Sequence, residues 1–287
     1  MTGQQNGNGL RQRRPAPIPR RRVALMAAAL CCVLMLFFMV SRCSHRHTSP
    51  FAGPVKSGGD TIDVAIEISP LSYSMAGDSI SGLDYEMITR MTSMHGRPVR
   101  LHPFAPLKYA LKGLEDGTFD IVISSLPSTR RLKDTLLLTD PVYLDREVLV
   151  QRRSDTTAVR RAEDLGGREV WLAEGSPLAD RIHNLAAELG DTITVRSLPG
   201  HTAEHLVLLV SAGKIPNAVV NEGIARTVCN RDTTLAFDTP VSFTQFQTWA
   251  VSPRNPALRD TLNVWLRQFK NTSAYRALLE RHGMRAE

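Results

Sequence analysis

The chain has 287 residues, of which 43% are hydrophobic and 22% charged, a composition typical of a globular protein. Its net charge of +7 comes from the amino terminus, because residues 1–50 carry eight arginines and no acid, which leaves 27 basic against 28 acidic residues in the remainder. This balance argues against a nucleic-acid partner. Since Cys229 is the only cysteine after Cys43, an internal disulfide and a cysteine-rich metal site in the folded part are excluded.

An apolar segment follows the basic amino terminus. Residues 23–40 are 18 uncharged positions, just long enough to cross a bilayer as a helix, and six arginines precede them. Because positive flanks stay in the cytoplasm, we predict a cytoplasmic tail at 1–22, a transmembrane signal anchor at 23–40 and a folded domain outside the cytoplasm. A cleaved signal peptide and a lipoprotein carrying its lipid on Cys43 are the alternatives. Residues 41–60, rich in Ser, Gly and Pro, predict a flexible linker.

Helical and extended patterns alternate from residue 61 onwards, which is typical of an α/β fold. The predicted strands are 62–67, 99–104, 119–123, 169–173, 192–198 and 218–220. The predicted helices are 83–94, 107–114, 177–189, 203–212, 258–269 and 273–282. Two longer extended segments, 144–152 and 243–252, bracket the second half of this pattern.

Hydroxyl and guanidinium side chains follow the buried strand 119–123. In open α/β sheets, ligands bind just beyond the carboxyl ends of the strands, so these side chains are candidates for holding a small anion. They are Ser124, Ser125, Ser128, Thr129, Arg130 and Arg131.

The order of several motifs resembles the family 3 extracellular solute-binding proteins, the bilobed receptors that deliver polar amino acids to bacterial ABC importers. The resemblance covers residues 60–283. The chain also resembles the amino-terminal sensor domain of membrane-bound lytic transglycosylase F. The matching motifs are the first strand with its loop to Tyr73, Gly82–Glu86, Asp140–Tyr143, Glu163–Gly167 and Glu174–Pro177.

The resemblance implies a periplasmic-binding-protein-like fold, in which two α/β lobes are joined by a two-strand hinge and close around a ligand. Lobe 1 would comprise residues 61–146 and 248–287, and lobe 2 residues 147–247. It also implies a location in the periplasm, tethered to a bacterial cell membrane. A single rigid α/β domain without a moving cleft is the alternative.

The resemblance further implies a set of ligand-binding residues. An aromatic residue at the position of Tyr73 would pack on the ligand, and Ser125, Thr129 and Arg131 would bind a carboxylate. Arg130 is the alternative to Arg131, because the family places its arginine three residues after the threonine, where this chain has a leucine. Ser176 would present backbone N–H groups at a helix start, and Asn221 stands where the family usually has the aspartate that pairs with the ligand's ammonium.

The leading hypothesis is a monomeric, non-catalytic, membrane-tethered solute-binding protein for ABC-type uptake of an amino acid, peptide or related anion, with no cofactor or metal. The first alternative is a stand-alone sensor of cell-wall fragments that acts on a cell-wall enzyme. The second is a cyclohexadienyl-dehydratase-like enzyme, in which Glu174 or Glu222 would serve as general acid. His201 and His205 are four residues apart, but no third ligand at a matching spacing completes a zinc site.

Overall fold

The computed structural model describes residues 61–104, 106–230 and 232–286. The predicted tail, anchor and linker lie outside the described residues. Among the described residues, no helix combines the length and the apolar character needed to cross a membrane.

The described part of the chain alternates strands and helices, as the sequence pattern predicts. The strands are β1 (Ile62–Glu67), β2 (Ser74–Ala76), β3 (Ser79–Ser81), β4 (Val99–Phe104), β5 (Ile121–Pro127), β6 (Leu137–Leu138), β7 (Tyr143–Asp145), β8 (Glu147–Arg152), β9 (Glu169–Ala173), β10 (Thr194–Leu198), β11 (Asn217–Asn221), β12 (Leu235–Pro240) and β13 (Gln245–Val251). The helices are α1 (Leu83–Met94), α2 (Leu107–Asp116), α3 (Arg130–Thr135), α4 (Leu178–Leu189), α5 (Ala203–Ser211), α6 (Glu222–Cys229), α7 (Pro256–Lys270) and α8 (Ser273–Arg281), with a short 3-10 helix at Ala162–Leu165.

The first sheet of the described chain has the strand order β4-β1-β5-β13-β6, with β7 paired to β13. Strand β1 runs parallel to both β4 and β5, so the carboxyl ends of these three strands meet at one edge. Alternate side chains of a strand point to opposite faces, and Ile62, Val64 and Ile66 of β1 belong to one apolar cluster with buried residues of α1, α7 and α8. We call the elements on this sheet the first half.

The second half comprises a three-stranded antiparallel sheet, β11-β8-β12, and the parallel pair β9-β10. Strand β8 is covered on both faces: Val148 and Val150 pack in an apolar cluster with residues of α5, whereas Leu149 packs in a second cluster with residues of α4. This double coverage explains why the central residues of β8, 148–150, are an uninterrupted apolar run in the sequence.

The chain passes between the two halves twice. It leaves the first sheet at the end of β7 and enters the second at Glu147, and it returns through residues 241–244 before β13. Both passages fall in or beside the segments 144–152 and 243–252 that the sequence singled out. The lobe boundaries themselves stay a prediction.

Three strands differ from their predicted bounds. Strand β10 is Thr194–Leu198 rather than 192–198, and β11 is Asn217–Asn221 rather than 218–220. Strand β5 starts at Ile121 rather than Phe119 and continues to Pro127, past the predicted end at Ile123. The extension follows from tertiary pairing, because β13 pairs with Leu126 and Pro127 and so continues the ladder beyond the apolar run.

Gly82 allows the loop before α1 to approach the helix start closely. Its φ is +137°, and a Cβ at this position would lie 2.3 Å from the carbonyl oxygen of Ser72.

We expect Gly82→Ala to lower the free energy of unfolding by about 3 kcal/mol or more, since backbone must move to relieve the overlap. Gly77→Ala is the matched control: Gly77 also has a positive φ, +60°, but no atom within 4 Å of the added Cβ, so a loss of about 1 kcal/mol is expected. Urea denaturation measures both, and equal losses would contradict this account of Gly82.

Asp145 is a buried acid at the first passage between the halves. It is 4% exposed and accepts hydrogen bonds from the backbone N–H groups of Arg146 (2.8 Å) and Gly223 (3.4 Å). Burial outweighs these bonds and raises the pKa of Asp145 to about 7. At pH values between 3.8, the ordinary pKa of an aspartate, and about 7, this carboxyl therefore holds a proton in the folded protein that it has released in the unfolded chain. The resulting contribution to stability is lost as the pH rises through 7.

We expect Asp145→Asn to flatten the pH dependence of stability. In the wild type this carboxyl should lower the free energy of unfolding by about 2–3 kcal/mol between pH 5 and pH 8, and the asparagine variant should lack that decrease. Urea denaturation at the two pH values is the measurement, with the exposed Asp134→Asn as control. Identical pH dependence in the Asp145 variant and the wild type would show that this carboxyl does not titrate as described.

Candidate ligand-binding site

A cleft lies where strand ends of the two halves face each other. Its empty volume is about 740 Å³, including the part open to solvent. Polar groups come from both halves, and the apolar lining includes Phe104 and Ile224. The polar lining residues are Glu67, Ser124, Ser125, Glu174, Ser176, His201, Thr202 and Asn221.

The floor of the cleft in the first half holds a half-buried carboxylate. Glu67 is the last residue of β1, beside Ser124 of the parallel strand β5. The Ser124 hydroxyl donates to Glu67 Oε2 at 2.6 Å, and the backbone N–H of Ser125 donates to the same oxygen at 3.4 Å. Burial nevertheless raises the pKa of Glu67, because the two neutral donors offset only part of the lost hydration.

A second acid, which is fully buried, lies behind this floor. Asp84, in the first turn of α1, accepts hydrogen bonds from the Ser72 hydroxyl (2.8 Å), the Trp249 indole (3.1 Å) and the Tyr143 hydroxyl (3.4 Å). Burial is the main cause that raises the pKa of Asp84 to about 6, and the negative charge of Glu67 adds to it. The first half therefore places acidic groups, rather than a cation, behind the cleft.

The second half contributes the start of α4, whose backbone donors are already used. The N–H of Ser176 donates to Ala173 O, that of Leu178 to Ser176 Oγ at 3.2 Å, and that of Ala179 to Ser176 O, while Pro177 has no N–H. Sequence reasoning predicted free N–H groups aimed at an anion here. The predicted cap is present, but it consumes the donors that an anion would need.

Asn221 supplies a buried donor without a partner. It ends β11 at the cleft, is 4% exposed, and its side chain caps no helix. No described residue accepts a hydrogen bond from its Nδ2. Buried polar groups are nearly always paired in native proteins, so this amide is suited to bind an acceptor atom of a ligand.

Ion pairs join the two halves beside the cleft. Lys108 of α2 lies 3.4 Å from Glu174, measured from Nζ to Oε1, and Arg131 of α3 pairs with Asp180 of α4. All four side chains are at least 37% exposed, so each pair contributes little to stability. Of the two carboxylates that line the cleft, Glu174 is therefore paired with a cation.

The structure brings together three of the six predicted site residues. Ser125, Ser176 and Asn221 line the cleft. Tyr73 lies in the apolar core of the first half, with its ring 5.9 Å from that of Tyr85. Thr129 caps α3 by accepting from Leu132 N at 3.3 Å and, like Arg131 and the alternative Arg130, lines a separate surface crevice between α3 and α4. A ligand contact by these residues stays a prediction.

Sequence reasoning missed Glu67 as a site residue. The signal was available: a carboxylate follows the apolar run 64–66, at the end of the strand where ligands bind in α/β sheets. For metals, the described residues contain no cluster of three or more His, Cys, Asp or Glu side chains able to hold an ion.

This chain belongs to the bacterial extracellular solute-binding proteins, family 3, whose family model matches residues 61–285. The family resemblance seen in the sequence is thereby confirmed.

Curated relatives carry the name membrane-bound lytic murein transglycosylase F. The protein from Desulfosudis oleivorans is 25% identical over 273 residues, which cover 93% of this chain and 57% of the relative. The protein from Shewanella pealeana is 26% identical over 152 residues, covering 53% of this chain and 31% of the relative. The chain therefore spans about a third to somewhat over half of the length of these relatives.

Solved structures of amino-acid-binding proteins share the fold. An ancestral arginine-binding protein bound to arginine superposes with a TM-score of 0.68 at 18% identity, covering 78% of this chain and 98% of that protein. The arginine-binding protein of T. maritima, as the P235GK mutant, gives 0.67 at 19% identity, covering 78% and 95%. An ancestral precursor of cyclohexadienyl dehydratase gives 0.65 at 20% identity, covering 77% and 95%. The fold is thus α/β and periplasmic-binding-protein-like.

Proposed function

We propose that this protein is a membrane-tethered solute-binding protein of the bacterial envelope, which closes on a small polar ligand and passes it to an ABC-type permease. The main observation in support of the proposal is the composition of the cleft. Both halves supply hydrogen-bonding groups to one space, and the buried Asn221 amide in it lacks a partner among the described residues. Family membership supports the same function.

A location at the membrane is supported by two independent observations. The arginine-flanked apolar segment 23–40 has the pattern of a single-pass anchor with the domain outside the cytoplasm. In addition, the curated relatives are named as membrane-bound proteins.

We further propose that the domain acts without catalysis, as a monomer. Glu222, one of the two acids considered as a general acid, does not line the cleft and pairs with Arg146 and Arg226. The other, Glu174, lines the cleft but pairs with Lys108. Each of these two carboxylates is thus engaged in an ion pair with a basic side chain of the protein.

A second candidate function is sensing of cell-wall fragments on behalf of a cell-wall enzyme. It is favoured by the curated relatives, whose printed name is that of a murein transglycosylase. Calorimetric titration of the purified full chain with muramyl peptides, and with standard amino acids and dipeptides, separates the two candidates. Preferential binding of muramyl peptides supports sensing, and preferential binding of amino acids or dipeptides supports uptake.

We expect Asn221→Leu to weaken binding of the tightest ligand in that panel by about tenfold or more. The leucine has a similar volume but leaves the ligand's acceptor atom without its buried donor, a loss of about 1–3 kcal/mol. Asn271→Leu, an exposed position at the end of α7 outside the cleft and outside the crevice beside α3, is the matched control and should bind like the wild type. Unchanged affinity in the Asn221 variant, or no binding by the wild type from the whole panel, would count against the proposed function.

A further inference from the structure

The charged side chains that line the cleft among the described residues are acidic. Glu67 and Glu174 are carboxylates, and among the described lining residues there is no arginine or lysine. The lining also includes His201, whose Nδ1 lies 3.1 Å from the carbonyl oxygen of Pro199.

The two carboxylates differ in how their charge is balanced. Glu174 lies at the rim and has Lys108 as a cationic partner. Glu67 lies on the floor, and the hydrogen bonds that it receives come from the neutral Ser124 hydroxyl and the Ser125 amide. The groups behind it, Asp84 and Tyr143, add no positive charge. Glu67 is half-buried, and removing part of the hydration of a carboxylate without a cation beside it is costly, so a cation entering the cleft would gain by supplying the missing charge.

The cleft offers little to a ligand carboxylate. Arg130 and Arg131 line the separate crevice beside α3, and the first amides of α4 are bonded within the protein. The buried donor without a described partner is the neutral amide of Asn221. A neutral acceptor, such as a hydroxyl or an amide carbonyl, satisfies this donor without bringing a second negative charge close to Glu67.

We propose that the cleft selects a cationic ligand whose other polar groups are neutral: an amine or guanidine that carries a hydroxyl or amide acceptor and no free carboxylate. Glu67 binds the cationic group, and Asn221 donates to the neutral acceptor. This inference rests on the proposed function, since it names the ligand class of the same cleft.

The test compares two ligands that differ only in the group at issue. L-Argininamide and L-arginine share the guanidinium and the α-ammonium, but argininamide has a neutral amide where arginine has a carboxylate. We expect calorimetry with the wild-type full chain to give at least about tenfold tighter binding of argininamide, which corresponds to about 1.4 kcal/mol. Glu67→Gln should weaken argininamide binding by a similar factor, whereas Glu163→Gln, on the 3-10 helix outside the cleft, should leave it unchanged.

Each outcome separates this inference from the function on which it rests. Arginine, or another carboxylate-bearing amino acid, binding as tightly as argininamide would overturn the ligand class while supporting a solute-binding function. No heat with argininamide, arginine, dipeptides or muramyl peptides would overturn both. The ligand comparison needs only the wild-type protein, so it decides the question even where the Glu67 variant does not fold.

Discussion

The carboxylate of Glu67 is the group on which the account of the cleft depends. It closes a strand inside a sheet, at the floor of the cleft, and it receives hydrogen bonds from a serine hydroxyl and a backbone amide. Neutral donors of this kind compensate only part of the hydration that a carboxylate loses on burial. The floor of the ligand-free cleft therefore holds a carboxyl group whose charged form is only partly compensated, and the chemistry of any occupant has to accommodate it.

The topology explains why this charge faces a cleft rather than a core. Strands β1, β4 and β5 are parallel and end at one edge, and the ends of β9 and β11 in the second half lie across from them. Side chains at these ends cannot join the apolar layers above and below the sheets. A chain that passes twice between two such halves thus collects its strand-end residues, polar ones included, around one space.

Most of the secondary structure could be predicted from sequence because it follows from local patterns. Strand bounds at 62–67, 99–104 and 169–173 are confirmed residue for residue, since each is a run with clear turn signals on both sides. The carboxyl end of β5 could not be predicted, because its partner β13 lies more than a hundred residues away in the sequence.

The candidate site could be predicted less completely from the sequence, because it also depends on contacts between distant residues. Ser125, Ser176 and Asn221 lie at or just beyond the ends of predicted strands, and the family resemblance indicated them as ligand-binding residues. The direction of a long side chain depends on tertiary partners: Arg131 reaches Asp180 on α4, and the Tyr73 ring enters the core beside Tyr85. No local pattern reveals these contacts. Nor could spacing reveal that the cap of α4 uses the amides expected to bind an anion.

The most direct test of the central claim is the titration of Glu67 itself. The carboxyl ¹³C signal of this residue in the ligand-free protein, assigned by its disappearance in Glu67→Gln, reports its protonation as the pH is varied. A half-buried carboxylate without a cationic partner predicts a midpoint clearly above the ordinary pKa of 4.5. A midpoint at or below 4.5 would mean that a cation or further donors already neutralise this carboxylate, and the case for a cation-selective cleft would be lost.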